Sequence, residues 1–155
     1  DRMLWIWKRI KDSFPDWNLK VLGGGNITYY KTLSDKYLGD DARIEFVGFQ
    51  HPKLYYDKAK VLCMTSCTEG WGMVLVESQR HGCVPISYDS FASVTDIITD
   101  GKNGCIVSTE KEYVQKLSRV MSDNDYRKRM AIEGFKSHFE AGEIADRWIK
   151  LFESL

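Results

Sequence analysis

The chain has 155 residues, of which 43% are hydrophobic, and its 22 Lys and Arg side chains balance 22 Asp and Glu side chains. This length predicts one domain with a substantial core, and the charge balance argues against a nucleic-acid-binding protein, which would carry a strong net positive charge. No apolar run approaches the roughly 18 residues of a membrane span, and no secretory signal opens the chain. Because it begins without Met in an amphipathic segment, we expect an excised piece of a longer protein.

The first half of the chain alternates between helix and strand patterns. Apolar residues at helical spacing predict an amphipathic helix over 1–14, which Pro15 ends. The predicted elements that follow are strand 19–22, helix 27–38, strand 43–47, helix 52–59, strand 61–65 and helix 72–81.

The second half continues the alternation and then becomes helical. Its predicted elements are strand 83–88, helix 93–99, strand 105–107 and the helices 110–121, 125–139 and 143–154. Pro85 suggests that its strand lies near an edge or contains a bulge, because proline cannot donate to a ladder. The alternation predicts an α/β fold, Rossmann-like, with a parallel sheet between two helical layers. Trp148, Leu151 and Phe152 form a stripe on the last helix, which we interpret as a core face or as a surface for a missing neighbour.

The four cysteines, Cys63, Cys67, Cys83 and Cys105, lack the paired spacing of a zinc site. Three of them lie in or beside apolar runs, so we expect reduced, buried or half-buried thiols and no metal site. A reactive thiol at Cys67, close to the candidate site, is the alternative.

Gly23, Gly24 and Gly25 follow the first predicted strand. A dinucleotide fingerprint would need another glycine where Thr28 stands and an acidic residue at the end of the next strand, near Val47. We therefore interpret the three glycines as a tight strand-to-helix turn near a ligand cleft.

The strongest candidate site lies where the third predicted strand leads into a helix. Glu69 and Glu77 enclose seven residues, which include Gly70 and Gly72. At this edge of a parallel sheet, the free N–H groups of a helix N-terminus suit a phosphate. Carboxylates accept hydrogen bonds from sugar hydroxyls but repel a bare phosphate. The segment therefore predicts a ligand of sugar–phosphate–sugar character, which is a nucleotide sugar.

A purely structural interpretation explains fewer features of this segment than ligand binding does. An acidic residue placed for the helix dipole accounts for Glu69 alone. It does not account for the glycines flanking Trp71, which suggest close approach of a ligand to the backbone, or for Glu77 in an apolar run. His51, in a loop after a strand, is a weaker candidate contact, and His81 could form a simple i,i+4 pair with Glu77.

The ordered set of these motifs resembles the C-terminal, nucleotide-sugar-binding lobe of family 4 of the retaining glycosyltransferases, which have the GT-B fold. Each matching piece is weak alone, but their order and spacing over about residues 17–110 are specific. The pieces are Val47-Gly48-Phe49, the strand 61–66, Glu69-Gly70-Trp71-Gly72-Met73 with Glu77, Gly82-Cys83-Val84-Pro85-Ile86, and the segments Asp96-Ile97-Ile98 and Gly101-Lys102-Asn103-Gly104.

The resemblance implies transfer of a sugar from a nucleotide diphosphate to an acceptor hydroxyl, with retention at the anomeric carbon and without a metal or other cofactor. Trp71 together with Ser90 and Phe91 is similar to members that build bacterial capsule or lipopolysaccharide. The implied partners are a nucleotide sugar, an acceptor glycan or lipid-linked glycan, and an N-terminal lobe of the same chain. The full-length protein would be cytoplasmic or lie peripherally at the inner face of the membrane.

The family's residue roles carry over to the matching positions. Glu69 would be the catalytic residue, binding hydroxyls of the donor sugar, and Glu77 would accept from the ribose hydroxyls. The other implied donor-binding residues are Gly48, Phe49 and Gln50 near the nucleobase, and Gly70, Trp71, Gly72, Met73 and Val74 near the diphosphate or donor sugar.

The chain departs from the family in what it lacks. The Arg and Lys that bind the diphosphate would precede Asp1, as would the acceptor lobe, and Asp96 stands where the family usually has Glu. We therefore expect residues 1–155 to form a single domain, truncated at its N-terminal strand, that binds nucleotide sugar weakly and does not catalyse transfer alone. The alternatives are another GT-B enzyme, such as a sugar-nucleotide epimerase, and a non-catalytic nucleotide-sugar-binding scaffold.

Overall fold

The computed structural model describes residues 1–136 and 141–155. The elements in chain order are α1 (Arg2–Ile10), a 3-10 turn (Lys11–Ser13), β1 (Leu19–Leu22), α2 (Ile27–Leu38), β2 (Ile44–Gly48), α3 (Lys53–Tyr56), β3 (Val61–Met64), α4 (Met73–Arg80), β4 (Val84–Tyr88), α5 (Val94–Ile97), β5 (Cys105–Val107), α6 (Glu110–Ser122), α7 (Asn124–Lys136) and α8 (Ala141–Glu153). Every predicted helix and strand is present. Strands 19–22 and 105–107 and helix 27–38 match to the residue, whereas the other elements have shifted ends. The end of the predicted helix 125–139 lies outside the described residues.

All strand pairs that the structure describes are parallel, as predicted. They form two sheets rather than one: β1 pairs with β2, and β3, β4 and β5 form a second sheet with β4 in the centre. The domain is therefore an α/β fold with parallel strands, and its hydrogen bonding is interrupted between β1 and β3.

The two faces of the larger sheet contribute to different parts of the core. Val84, Ile86 and Tyr88 of β4 join the cluster that includes α1 and α6, whereas Met64 of β3 and Ile106 of β5 pack with α4 and α5. Successive side chains of a β-strand point to opposite faces of the sheet, so alternate residues join different clusters. Helices thus cover both faces of this sheet.

Pro85 lies in the central strand, so the prediction of an edge strand or bulge is wrong. All five residues of β4 are buried. Val84 donates its N–H to Lys60 on the β3 side at 3.0 Å, and because successive N–H groups alternate sides, the nitrogen of Pro85 faces β5. There the pairing begins only opposite Ile86, at Cys105. Proline therefore removes no ladder hydrogen bond at this position.

Long-range hydrogen bonds hold α1 against the smaller sheet. Trp7 donates its indole N–H to the carbonyl of Ala42 at 2.7 Å. Arg43 donates to the carbonyls of Lys11 at 2.6 Å and Phe14 at 2.8 Å. Both carbonyls also accept backbone N–H groups at 3.1 Å, Lys11 from Phe14 and Phe14 from Trp17. Arg43, just before β2, thus adds a side-chain donor at each carbonyl and ties the segment that begins with α1 to the smaller sheet.

The apolar stripe of α8 is a surface feature in the described part of the chain. Trp148 and Phe152 stack with ring centroids 5.7 Å apart, yet they are 54% and 64% exposed. The interpretation of the stripe as a core face is therefore wrong. Within the described residues, no helix is both long and apolar enough to cross a membrane.

Candidate functional site

The predicted carboxylate segment forms a surface at the carboxyl end of β3. The loop over residues 66–72, called the site loop below, connects β3 to α4. Glu69 and Gly70 are exposed in it, and Trp71 is 39% exposed. Glu77 is exposed on α4 among buried neighbours. Both carboxylates can thus reach a ligand from solvent.

Gly72 ends the site loop in a conformation that excludes other residues. It occupies the N-cap of α4 with φ +80°, in the left-handed region that glycine adopts most easily. A Cβ at this position would lie 3.0 Å from Cε2 and 3.1 Å from Cζ of Phe91. Backbone conformation and space both require glycine here.

The start of α4 presents backbone donors to the surface. The Leu75 N–H donates to the Gly72 carbonyl at 2.9 Å, and the preceding N–H groups belong to the first turn, where a helix supplies no acceptor. Met73 and Val74 in this turn are 56% and 38% exposed. Donors and helix dipole together favour an anion at this end of α4.

Tyr56 of α3 lies beside Glu77. Its side chain is buried, and the negative charge of the Glu77 carboxylate acts on its hydroxyl. Burial, followed by the charge of Glu77, raises the pKa of Tyr56 to about 12. The tyrosine therefore stays a neutral donor at any physiological pH.

His81, at the end of α4, has a partner on another element. Its Nδ1 lies 2.6 Å from Oδ1 of Asp57, and its ring stacks on Tyr56 with centroids 5.8 Å apart. The interpretation of His81 as an i,i+4 partner of Glu77 gives way to this contact with α3. Tyr56 thus packs against the ring of His81, and its neutral hydroxyl lies beside the Glu77 carboxylate.

The second predicted cluster lies at the end of β2. Gly48 has φ +73° and sits at a break in the β1–β2 register, and its carbonyl accepts from Gly23 N–H at 2.9 Å. Phe49 is 90% exposed, and Gln50 and His51 are exposed beside it. An aromatic side chain this exposed is available to stack on a planar ligand.

A cavity of about 210 Å³ lies between β1 and the end of β3. Gly48 from the second cluster and Thr65, immediately before the site loop, both line it, together with Gly23 and Gly24. A larger cavity of about 490 Å³ lies at the far end of α4, where His81 meets α7. Neither cavity includes Glu69 or Glu77, so the candidate site is an open surface.

Three residues that the sequence did not single out as site residues contact the site loop. Ser90, Phe91 and Ser93, between β4 and α5, touch it through two hydroxyl groups and one ring. In the sequence, only the family resemblance drew attention to Ser90 and Phe91. No feature of the sequence pointed to Tyr56 as a neighbour of the site. Among residues 1–136 and 141–155, no group of three or more His, Cys, Asp or Glu could hold a metal ion.

Sequence comparison identifies the family. The profile described as "Glycosyl transferases group 1" matches residues 1–137, which is most of the chain. The chain belongs to the group 1 glycosyltransferases. The resemblance drawn from the motifs is thereby confirmed.

A curated relative of this glycosyltransferase domain comes from Campylobacter jejuni. It is a GalNAc-alpha-(1->4)-GalNAc-alpha-(1->3)-diNAcBac-PP-undecaprenol alpha-1,4-N-acetyl-D-galactosaminyltransferase, 30% identical over 146 residues. The match covers 91% of the chain but 40% of the relative. The chain thus spans less than half the length of this enzyme.

Solved structures show the same fold. The C-terminal domain of the group 1 glycosyltransferase LpcC from Francisella tularensis matches 87% of the chain and 74% of that domain, with a TM-score of 0.76 at 24% identity. The pneumococcal O-GlcNAc transferase GtfA, solved with UDP and GlcNAc, matches 99% of the chain and 32% of its own, with a TM-score of 0.84 at 20% identity. The glycosyltransferase domain therefore has the fold of a GT-B C-terminal lobe.

Proposed function

We propose that this domain is the donor-binding lobe of a retaining glycosyltransferase. The enzyme would move a sugar from a nucleotide diphosphate to an acceptor hydroxyl during polysaccharide or lipopolysaccharide synthesis. The observation that carries this proposal is the position of Glu69 and Glu77, exposed on either side of the first turn of α4. Two hydroxyl-binding carboxylates and an anion-binding helix terminus match the sugar, ribose and diphosphate of one donor.

Each group in the site has a role in this proposal. Glu69 binds hydroxyls of the donor sugar and is the catalytic residue, holding the anomeric carbon toward the acceptor. Glu77, oriented by Tyr56, accepts from the ribose hydroxyls. The N–H groups of Gly72, Met73 and Val74 bind the diphosphate or the donor sugar, while Gly70 and Trp71 let the ligand approach the loop closely.

The nucleobase is proposed to lie at the end of β2. Gly48, Phe49 and Gln50 would contact it, with backbone groups reading its edge and the exposed Phe49 ring beside it.

In the proposed reaction, the bond between the anomeric carbon and the diphosphate oxygen breaks, and a bond to the acceptor oxygen forms on the same face of the sugar. Negative charge develops on the leaving diphosphate oxygen, which lies on the same face as the acceptor and takes up the proton that the acceptor hydroxyl loses. The N-terminus of α4 is directed at that charge, which is preorganised electrostatic stabilisation. Cationic side chains outside residues 1–155 would complete this stabilisation of the leaving diphosphate, with no metal required.

We further propose that another parallel strand of the full-length protein fills the space between β1 and β3. Each of these strands is paired on one side in the described residues. The groove between them is lined by Leu19 and Val21 and also by Met3 and Leu4 of α1. A strand preceding α1 would reach this groove by the usual right-handed crossover. The acceptor lobe would belong to the same longer chain. A lipid-linked acceptor would place the full-length enzyme at the inner face of the membrane.

Calorimetric titration tests the proposal. UDP, GDP and ADP, each with a matching nucleotide sugar, would be titrated into the 155-residue chain, and we expect weak binding of one base. A labelled donor incubated with an acceptor and this chain should give no transfer, because the acceptor lobe is lacking. Binding by none of the bases would contradict the proposed function. Conversion of a nucleotide sugar without an acceptor would favour an epimerase, and binding without turnover by the full-length enzyme would favour a scaffold.

A further inference from the structure

Ser93 does not cap the helix at whose start it stands. It occupies the N-cap of α5, where a serine hydroxyl usually accepts from the helix backbone, but its side chain makes no cap hydrogen bond. The hydroxyl instead donates to the carbonyl oxygen of Trp71 at 3.1 Å, and the carbonyl oxygen of Gly70 lies 3.4 Å from the same hydroxyl. Ser93 is only 6% exposed. A buried hydroxyl is thus directed away from its own helix and toward the site loop.

Two neighbours of Ser93 reach the same loop. Ser90 donates its hydroxyl to the carbonyl of Ser66 at 2.8 Å, and the ring of Phe91 approaches to 3.0 Å the position that a Cβ on Gly72 would occupy. We call Ser90, Phe91 and Ser93 the brace. It contacts the site loop near both ends, with Glu69 between the contacts.

The brace is connected to the larger sheet and to α4. It follows β4, the buried central strand, and Asp89 donates its N–H to the Val107 carbonyl of β5 at 2.9 Å. Behind it, the buried side-chain amide of Gln79 on α4 donates to the carbonyl of Asn103 at 3.1 Å, and the side-chain amide of Asn103 donates to the carbonyl of Ile97 in α5 at the same distance. The element that contacts the loop is therefore tied to α4 as well as to the sheet.

The bond from Ser93 has a geometric consequence for the donors of the site. In a trans peptide the C=O and N–H groups point in opposite directions. Trp71 contributes the carbonyl and Gly72 the N–H of one peptide, so holding the Trp71 carbonyl toward Ser93 directs the Gly72 N–H away from Ser93. The same hydroxyl therefore sets the direction in which an anion would meet this donor.

We propose that Ser93 is a positioning residue that orients the Gly72 N–H toward a diphosphate, and that the brace holds the site loop in its binding conformation before the ligand arrives. This inference rests on the proposed function, because it concerns the same site. Its physical basis is preorganisation: a loop with glycine at two positions has many conformations, and binding is tighter when they are removed in advance. Ser93 acts through the backbone of Trp71 and does not itself touch the ligand.

The experiment compares three variants with the unmodified chain. Ser93→Ala removes the hydroxyl, Ser93→Thr retains it, and Ser87→Ala is the matched control, because Ser87 is equally buried but donates to the neighbouring Tyr88 carbonyl. Calorimetry with UDP, GDP and ADP gives affinities, ¹⁵N relaxation gives order parameters for Gly70 and Gly72, and urea denaturation verifies that each variant is folded.

We expect Ser93→Ala to bind the preferred nucleotide about five- to tenfold more weakly and to lower the order parameters of Gly70 and Gly72. Ser93→Thr should restore both, and Ser87→Ala should change neither. Unchanged affinity or unchanged order parameters in folded Ser93→Ala would overturn the positioning role. If the unmodified chain bound none of the nucleotides, the proposed function would fail, and relaxation of the ligand-free variants would still decide whether Ser93 fixes the loop.

Discussion

The Tyr56 hydroxyl of α3 lies beside the Glu77 carboxylate of α4, whose charge, after burial, helps to raise the pKa of Tyr56 to about 12. Tyr56 is itself held by the ring of His81, which contacts Asp57 at 2.6 Å. A carboxylate that is oriented before the ligand binds loses less conformational entropy on binding. Tyr56 therefore supports Glu77 in the role proposed for it.

Removing the Tyr56 hydroxyl should weaken nucleotide binding. In Tyr56→Phe we expect an affinity about three- to tenfold lower, because the neutral hydroxyl donor beside the Glu77 carboxylate is lost. The control is Tyr55→Phe, the same change at the neighbouring, half-buried position of α3. Calorimetry on both variants measures the effect, and equal affinities for the two would show that Tyr56 has only a packing role.

The two glutamates should be separable by the choice of ligand. Glu77→Ala should lose about 1.5–3 kcal/mol of binding free energy for the nucleoside diphosphate and its sugar conjugate alike, because a charge-assisted hydrogen bond to the ribose is removed. Glu69→Ala should weaken binding of the sugar conjugate and leave the nucleoside diphosphate unchanged. Glu153→Ala, exposed at the end of α8, controls for the loss of charge. Affinity of Glu77→Ala equal to that of the unmodified chain would remove Glu77 from the site.

The two glycines of the site loop should respond differently to a methyl group. Gly72→Ala should lower the free energy of unfolding by about 1–3 kcal/mol, since it forces a positive φ on alanine and places Cβ 3.0 Å from Phe91. A Cβ at Gly70 meets nothing within 4 Å, so Gly70→Ala should change stability by less than about 0.5 kcal/mol. Urea denaturation compares them, and similar losses would show that the Gly72–Phe91 contact does not matter.

Alkaline pH should destabilise the fold. Burial raises the pKa of Cys63 and Cys105 to about 11 and that of Cys83 to about 12, from 9.0, and the pKa of Tyr56 to about 12 from 10.0. Between the ordinary and the raised pKa values, the folded chain binds more protons than the unfolded chain. The free energy of unfolding therefore has its full value below about pH 9 and falls as the pH rises toward 12. Urea midpoints in reducing buffer at pH 7–11 measure this.

A matched pair of cysteine variants tests the cause of the pH dependence. Cys83→Ala should flatten the decline above pH 9, whereas Cys67→Ser, at an exposed position, should leave it unchanged. Midpoints that stay constant from pH 8 to pH 11 in the unmodified chain would contradict the account.

Local chemistry explains why many elements could be predicted. Helix 27–38 was predicted to the residue, and Asn26 caps it by accepting from the N–H of Tyr29. The start of α6 was also predicted correctly, where Thr109 and Glu112 form a capping box. Such signals lie within a few residues of the boundary that they set.

What the sequence could not supply depends on contacts between distant residues. The central position of Pro85 follows from the order of strands, which no local pattern encodes. The apolar stripe on α8 has the same pattern whether it is buried or exposed. Tyr56 contacts Glu77 and Ser93 contacts Trp71 across more than 20 residues of sequence, so neither could be inferred from spacing. The roles of Glu69, Glu77 and the residues around them remain predictions.

Chemical-shift mapping of the ¹⁵N-labelled chain during titration with a nucleoside diphosphate and with its sugar conjugate would locate the donor site. We expect both ligands to shift amides of Gly48, Phe49 and Gln50 and of Gly72 to Glu77, and the conjugate alone to add shifts at Glu69 and Gly70. Shifts confined to other surfaces, such as the cavity beside His81, or no shifts with any of the tested bases, would contradict this placement.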